Sequence, residues 1–168
     1  WQEAKQWRDE NKAKGINETI LTKGDLLVPG YNADGKLMML QTINGNGFKG
    51  YMKDAKKSGS FAVFGEIQNG KPFLIAEGVA TAVTLYEQTK QPVIAAFDSG
   101  NLLNVARELR EKYKESRIYL ASDNDHIVEA KNREMGKNGI LNPGVEYALQ
   151  TANEIQGFVL TPKFAKDD

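Results

Sequence analysis

The 168-residue chain contains no cysteine and a single histidine, His126. The first absence excludes disulfides, a thiolate nucleophile and a cysteine-ligated zinc ribbon within these residues. The second excludes a metal site built on several imidazoles and leaves a Ser-His-Asp triad only through His126, read here as an exposed loop residue. Any bound metal must then be held by oxygen, which points to magnesium or manganese. No apolar run approaches the ~18–20 residues of a membrane-spanning helix, and there is no signal-peptide pattern. The expectation is a soluble, cytoplasmic chain with no membrane partner. A net charge is missing as well: 22 basic and 22 acidic residues cancel, so the total does not advertise nucleic acid. Because the chain begins at Trp1, it is read as a piece of a longer protein.

What is present is globular. Hydrophobic residues make up 40% and charged residues 26%, enough for a core and too balanced for a disordered chain. Charge divides the sequence: residues 1–72 hold 11 Lys/Arg against 8 Asp/Glu, and residues 73–168 hold 11 against 14. The structural pattern divides at the same place. Residues 1–14 read as a polar helix ended by Gly15, with Trp1 and Trp7 to dock it. Short β-type runs follow, separated by the Asp34-Gly35 and Asn46-Gly47 turns, and Ser60 to Phe64 reads as a further strand of the same antiparallel sheet. From Phe73 onward, continuous apolar runs alternate with helical periodicity. Phe73–Ala76, Pro92–Phe97, Ile118–Ala121 and Phe158–Leu160 read as strands. Between them lie helices carrying Val79, Ala82, Val83 and Tyr86, then Leu102, Ala106, Leu109 and Tyr113, then Val145, Ala148, Leu149 and Ala152. Asn142-Pro143 supplies an N-cap and a first-turn proline for the last of these. The expected fold is α/β: a parallel sheet flanked by helices, preceded by a small, mostly antiparallel β subdomain with an N-terminal helix. The expected domains are residues 1–71 and 72–168.

Three strands of the second half run into acids. Glu77-Gly78 follows the first, Asp98-Ser99-Gly100 the second, and Asp123-Asn124-Asp125 the third. Ligands of open parallel sheets bind at the carboxyl ends of the strands. Four carboxylates gathered there would repel one another without a cation. Asp123 and Asp125 are the candidate metal ligands, and Glu77 is the candidate proton carrier or ligand of a second ion. Asp98 has two readings: a fourth catalytic acid, or the cap of the following helix. In the first half, Lys49, Lys53, Lys56 and Lys57 stand close together around Phe48 and Tyr51. They read either as a path for phosphates and a stacking base or as the solvated edge of a hairpin.

At these residues the sequence resembles a family. Phe73-Leu-Ile-Ala-Glu77-Gly78 and Ile118-Tyr-Leu-Ala-Ser-Asp123-Asn-Asp125 are similar to the Toprim domain shared by bacterial-type primases, topoisomerases and OLD-type nucleases. Ala76-Glu77-Gly78-x-Ala80-Thr81-Ala82, Ala96-Phe97-Asp98-Ser99-Gly100-Asn101-Leu102 and Asn142-Pro143-Gly144 resemble primases of plasmids, phages and other mobile elements. Leu27-Val28-Pro29, Asp34-Gly35-Lys36 and Phe48-Lys49-Gly50-Tyr51 resemble the small subdomain that precedes Toprim in those primases.

The resemblance implies Glu77 as acid/base and Asp123 and Asp125 as ligands of magnesium or manganese; it does not assign Asp98. It also implies a DNA primase that makes short RNA primers on single-stranded DNA from nucleoside triphosphates. Lys49, Tyr51, Lys53, Lys56, Lys57 and Lys137 are then the candidate contacts to nucleic acid or nucleotide. A replicative helicase or other domains of a longer parent chain are the expected partners. No Gly-x-x-x-x-Gly-Lys-[Ser/Thr] run is present, so helicase chemistry lies elsewhere. The rival readings are a Toprim nuclease or topoisomerase acting on a phosphodiester, and a non-catalytic nucleic-acid-binding module.

Overall fold

The structure is a computed structural model, which describes residues 21, 23–124, 126–136 and 142–163. The helix expected over residues 1–14 lies outside them, as do Asp125 and Lys137.

Three strands form the first sheet: β1 (Leu26–Tyr31), β2 (Leu37–Ile43) and β3 (Lys49–Tyr51), all antiparallel in the order β1-β2-β3. The turns that join them are the Asn-Ala-Asp-Gly and Asn-Gly-Asn-Gly segments. Asn32 and Asn44 each accept backbone N–H groups through their side-chain oxygens, and Gly35 and Gly47 take the left-handed conformation.

The second sheet contains β4 (Ala62–Phe64), β5 (Phe73–Ala76), β6 (Val93–Ala95), β7 (Ile118–Ala121) and β8 (Phe158–Leu160), in the order β4-β6-β5-β7-β8. All neighbours are parallel except the β4–β6 pair. Helices α1 (Val79–Thr89), α2 (Leu102–Lys112), α3 (His126–Glu134) and α4 (Pro143–Ile155) complete the fold, with a 3-10 turn over Ser99–Asn101 leading into α2. Phe73, Ile75, Ile118 and Leu120 point to the face covered by α2 and α4, through Leu102, Val105, Ala106, Leu109, Ala148 and Ala152. Leu74, Ala76, Val93, Ala95 and Ala121 point to the other face, covered by Val79 and Ala82 of α1 and by Val28 and Met39 of the first sheet. The central strand β5 is buried along its whole length, which accounts for its unbroken apolar sequence.

Three sequence expectations need correction. The strand over Ser60–Phe64 does not extend the small antiparallel sheet; β4 is the antiparallel edge of the second sheet. The Tyr31–Phe61 bridge, with N···O distances of 2.8 and 2.9 Å, is what connects it to β1. Leu149, assigned to the apolar stripe of α4, is 54% exposed. The buried face instead runs through Gly144, Ala148, Thr151, Ala152 and Ile155, because the helix sits with its small residues against the sheet. His126, expected in a loop, opens helix α3.

Candidate active site

Strand order places the acids. The chain passes from β5 to β6 on one side, then crosses back over β5 to β7 and continues outward to β8. The reversal leaves β5 and β7 adjacent, with Ala76 paired to Ala121. Such a switch point opens a crevice at the carboxyl ends of the two strands. Glu77 is the first residue beyond β5, and Asp123 is the second beyond β7. Both are half-buried. Thr81, in the first turn of α1, ties the two loops together: its hydroxyl donates to Oδ1 of Asp123 at 3.4 Å. Beside this contact an open groove of about 610 Å³ runs along Thr81, Thr84, Leu85, Asp123 and Leu160.

The backbone beyond β7 is held from below. A Cβ on Gly144 would sit 2.2 Å from the carbonyl oxygen of Asp123, so the first turn of α4 can lie against Asp123 only as glycine. Asn142, buried just before that turn, donates to Oδ1 of Asn124 at 2.9 Å and to Oε2 of Glu129 at 3.2 Å. Its own oxygen caps Val145 at 3.5 Å. Asn124 in turn donates to the Pro162 carbonyl at 3.0 Å. The Glu129 carboxyl is held below the usual glutamate value by hydrogen bonds from Arg133 and Asn142. The Asn-Pro-Gly motif is thus a seat for the Asp123–Asn124 segment as well as a helix start.

Asp98 has different company. One oxygen accepts the Asn101 backbone N–H at 3.0 Å, capping the 3-10 turn, and the other is ion-paired with Lys57. The residue before it, Phe97, is buried with φ of 72°, a conformation unfavourable for a bulky side chain. Phe97 enters the junction between the sheets, where a Cβ on Gly30 would meet its ring at 2.9 Å. Asn101 is 2% exposed and uses its amide fully: Nδ2 donates to the Ser60 and Ala96 carbonyls, and Oδ1 accepts from Gly59 N–H at 2.8 Å. The Phe-Asp-Ser-Gly-Asn segment therefore fastens the 57–60 stretch, and with it the first sheet, to the end of β6.

The lysine patch divides. The Lys49 Nζ lies 4.0 Å from where a Gly78 Cβ would stand, so this cation of the first sheet reaches the Glu77–Gly78 turn. Lys57 goes to Asp98, its ammonium 5.5 Å from the Tyr51 ring centroid, and the Asp98 hydrogen bond holds it above the ordinary lysine value. The Tyr51 hydroxyl accepts from Gln41 at 3.1 Å. Burial pushes the Tyr51 phenol up, against the opposing effects of Gln41 and Lys57. Lys53 and Lys56 are exposed on the turn between β3 and β4.

Among the described residues no group of three or more Asp, Glu, His or Cys side chains is close enough to hold a metal ion. Glu77 and Asp123 supply two hard carboxylate donors at neighbouring strand ends, and Asp125 lies outside the described residues. Two carboxylates completed by water and phosphate oxygens suit magnesium or manganese, so the donor set fits such an ion. No helix among the described residues is long and apolar enough to cross a membrane.

Thr81, Gly144, Asn101 and Phe97 lie inside the motifs quoted above, and their contacts join loops remote in sequence.

No family model matches the chain. Two curated relatives, both DNA primase TraC of Escherichia coli, are 36% identical over 141 residues and 34% identical over 142. Each alignment covers 82% of this chain but only 13% and 9% of the respective relative. The fold is similar to the primase fragment of the bacteriophage T7 primase-helicase protein, with a TM-score of 0.54 at 15% identity over 84% of this chain and 54% of that one. It is also similar to the DnaG catalytic core, with a TM-score of 0.50 at 14% identity over 85% of this chain and 47% of that one. The architecture, a small antiparallel sheet followed by a mostly parallel sheet with helices, is that of primase catalytic fragments.

Proposed function

We propose that the chain is the catalytic domain of a DNA primase of the Toprim class, of the plasmid and phage kind, joining nucleoside triphosphates into short RNA primers on single-stranded DNA. The observation that carries this reading is the meeting of Glu77 and Asp123 at the switch point of the parallel sheet, with Lys49 reaching over from the first sheet. The likeness to DNA primase TraC supports it.

Glu77, which follows four buried residues at the end of β5, accepts the proton of the attacking 3′-hydroxyl. Asp123 and Asp125 would hold magnesium or manganese, which when bound neutralises charge on the phosphates. The Lys49 ammonium, close to Gly78 in the turn beside Glu77, is a counter-charge for phosphate oxygens entering the crevice. Tyr51 and the lysines of residues 49–57 offer a stacking face and an electrostatic track to the template. Lys137 is a further candidate for nucleotide contact. Orientation of the two reactants supplies much of the rate, since phosphoryl transfer asks for little covalent chemistry from the protein. A replicative helicase or further parent domains are the partners of the whole protein in this reading, and the cytoplasm is its compartment.

The test is synthesis of labelled oligoribonucleotides on a mixed single-stranded template with magnesium or manganese. Glu77→Gln should lower synthesis by roughly 10²-fold or more, the scale of a lost general base, with folding and template affinity unchanged. Nicking of plasmid DNA without primer synthesis would replace this reading with a nuclease.

A further inference from the structure

Thr81 occupies the third position of α1, and its hydroxyl has an unusual target. Threonine hydroxyls within helices commonly turn back to a carbonyl of their own preceding turn. The Thr81 hydroxyl instead crosses from the β5 loop to the β7 loop and donates to Oδ1 of Asp123. An aspartate carboxylate rotates in a broad, roughly two-fold well about its last torsion, so a donor on one oxygen selects its orientation. The backbone beneath that carboxylate is already set by the seat on Gly144. Main chain and side chain of Asp123 are therefore fixed from opposite directions, by α4 and by α1.

We infer that Thr81 is a positioning residue for the cation site, orienting the Asp123 carboxylate toward a divalent ion. This rests on the reading of Asp123 as a metal ligand. Partners that orient a ligating carboxylate are worth about 10–100-fold in metal affinity. Because Gly78 is the N-cap of α1, the same helix turn that carries Thr81 also sets the exit of Glu77. Thr81 thus couples the placement of the proposed base to that of the proposed ligand.

The experiment is manganese binding to the full 168-residue chain, followed by electron paramagnetic resonance of the free ion, with thermal unfolding as the control. Thr81→Val keeps the branched shape and removes the donor; it should weaken manganese binding by about tenfold at an unchanged melting temperature. Thr81→Ala removes the donor with less bulk and serves if valine disturbs the fold. Thr81→Ser retains the hydroxyl and should restore parental affinity. Asp123→Asn separates the two layers of the argument. If Asp123→Asn is impaired while Thr81→Val and Thr81→Ala bind as the parent does, the inference falls and the cation site stands. If Asp123→Asn binds as the parent does, both fall. Equal weakening in Thr81→Ser and Thr81→Val would also overturn the inference, because the hydroxyl would not be what matters.

Discussion

Two loops of this molecule begin alike and end in different employment. Each leaves a buried parallel strand, carries an aspartate within three residues of its end, and leads toward a helix. After β6, Asp98 caps a 3-10 turn with one oxygen and pairs with Lys57 through the other. After β7, Asp123 meets a threonine hydroxyl from the neighbouring βα unit and stands at the reversal of strand order. The local sequence leaves Asp98 open to both a catalytic and a capping reading. Strand order separates the two loops, because only β7 shares the switch-point crevice with the Glu77-bearing end of β5. The lysines differ too, since Lys57, on the segment after the first sheet, pairs with Asp98, whereas Lys49 of β3 reaches the Glu77–Gly78 turn beside β7. Two aspartates that follow parallel strands thus differ in their partners: one helps to fasten the two sheets together, and the other receives a threonine hydroxyl from the neighbouring βα unit.

The largest expected difference between the loops is in catalysis. Asp123→Asn should reduce primer synthesis by about 10²-fold or more, as expected when a metal ligand of a phosphoryl-transfer site is neutralised. Its stability should hold or rise, since one negative charge leaves the neighbouring strand ends that carry Glu77 and Asp123. Asp98→Asn should show the reverse balance. Asparagine caps nearly as well as aspartate, so the loss is that of a half-exposed ion pair, at most about 1 kcal/mol, with at most roughly a fivefold fall in synthesis. Primer assays and denaturant melts on the two variants decide it. Equal losses of synthesis in both would mean that Asp98 belongs to the chemistry.

The glycines sharpen the same contrast at the level of backbone. In Gly144→Ala the new methyl would stand 2.2 Å from the Asp123 carbonyl oxygen, and neither atom belongs to a flexible side chain. Overpacking of this kind should cost about 1–3 kcal/mol and displace Asp123, lowering both the unfolding midpoint and manganese affinity. In Gly100→Ala the nearest atom is Asp98 Oδ1 at 3.4 Å, an ordinary contact. The change should stay within about 0.5 kcal/mol. Parental stability and manganese binding in Gly144→Ala would show that α4 does not seat the acidic segment.

The periodicity of the sequence exposed most of the fold and little of the site's wiring. Unbroken apolar runs such as Phe73–Ala76 marked buried strands, and Asn142-Pro143 marked a helix start, because those signals are local. The α/β architecture, with a small antiparallel sheet ahead of a mostly parallel one, was legible for the same reason. Residues 62–64 were given to the wrong sheet because a three-residue strand has no pattern that names its neighbour; the Tyr31–Phe61 bridge, a contact remote in sequence, settles its place. The strand Leu26–Tyr31, the turns and the lysines were visible, but not that Lys49 and Lys57 part company. Thr81 and Gly144 were illegible as positioning residues because their meaning lies in Asp123, 42 residues from Thr81. Asp98 carried both readings in sequence, and its contacts give it the cap and an ion partner, leaving catalysis to experiment.

The smallest expected effect separates the loops by pH. The hydrogen-bonded pair with Asp98 keeps Lys57 protonated above the ordinary lysine value, and burial keeps Tyr51 neutral above the ordinary tyrosine value. In the unfolded chain these groups release their protons near about 10.4 and about 10. The folded chain therefore holds protons that the unfolded chain has already lost, and stability must fall as pH rises. The contribution of Lys57 is whole below the unfolded lysine value and disappears as pH passes through the higher, folded one. Since 41% of the Lys57 side chain is exposed, solvent screens the pair, and its share is limited to about 0.2–1 kcal/mol. Denaturant melts between about pH 9 and 11.5 would read it as the slope of stability against pH. Asp98→Asn removes the main cause of the Lys57 shift and should flatten the slope, while Tyr51→Phe should flatten it through the other group. Asp123→Asn, at the other loop, should leave the parental slope. A slope unchanged in Asp98→Asn would mean that the Lys57 pair does not persist in solution. The fastening of the first sheet would then rest on its other contacts, among them Asn101, the Tyr31–Phe61 bridge and the packing of Val28 and Met39, and Asp98 would be released for a part in the chemistry.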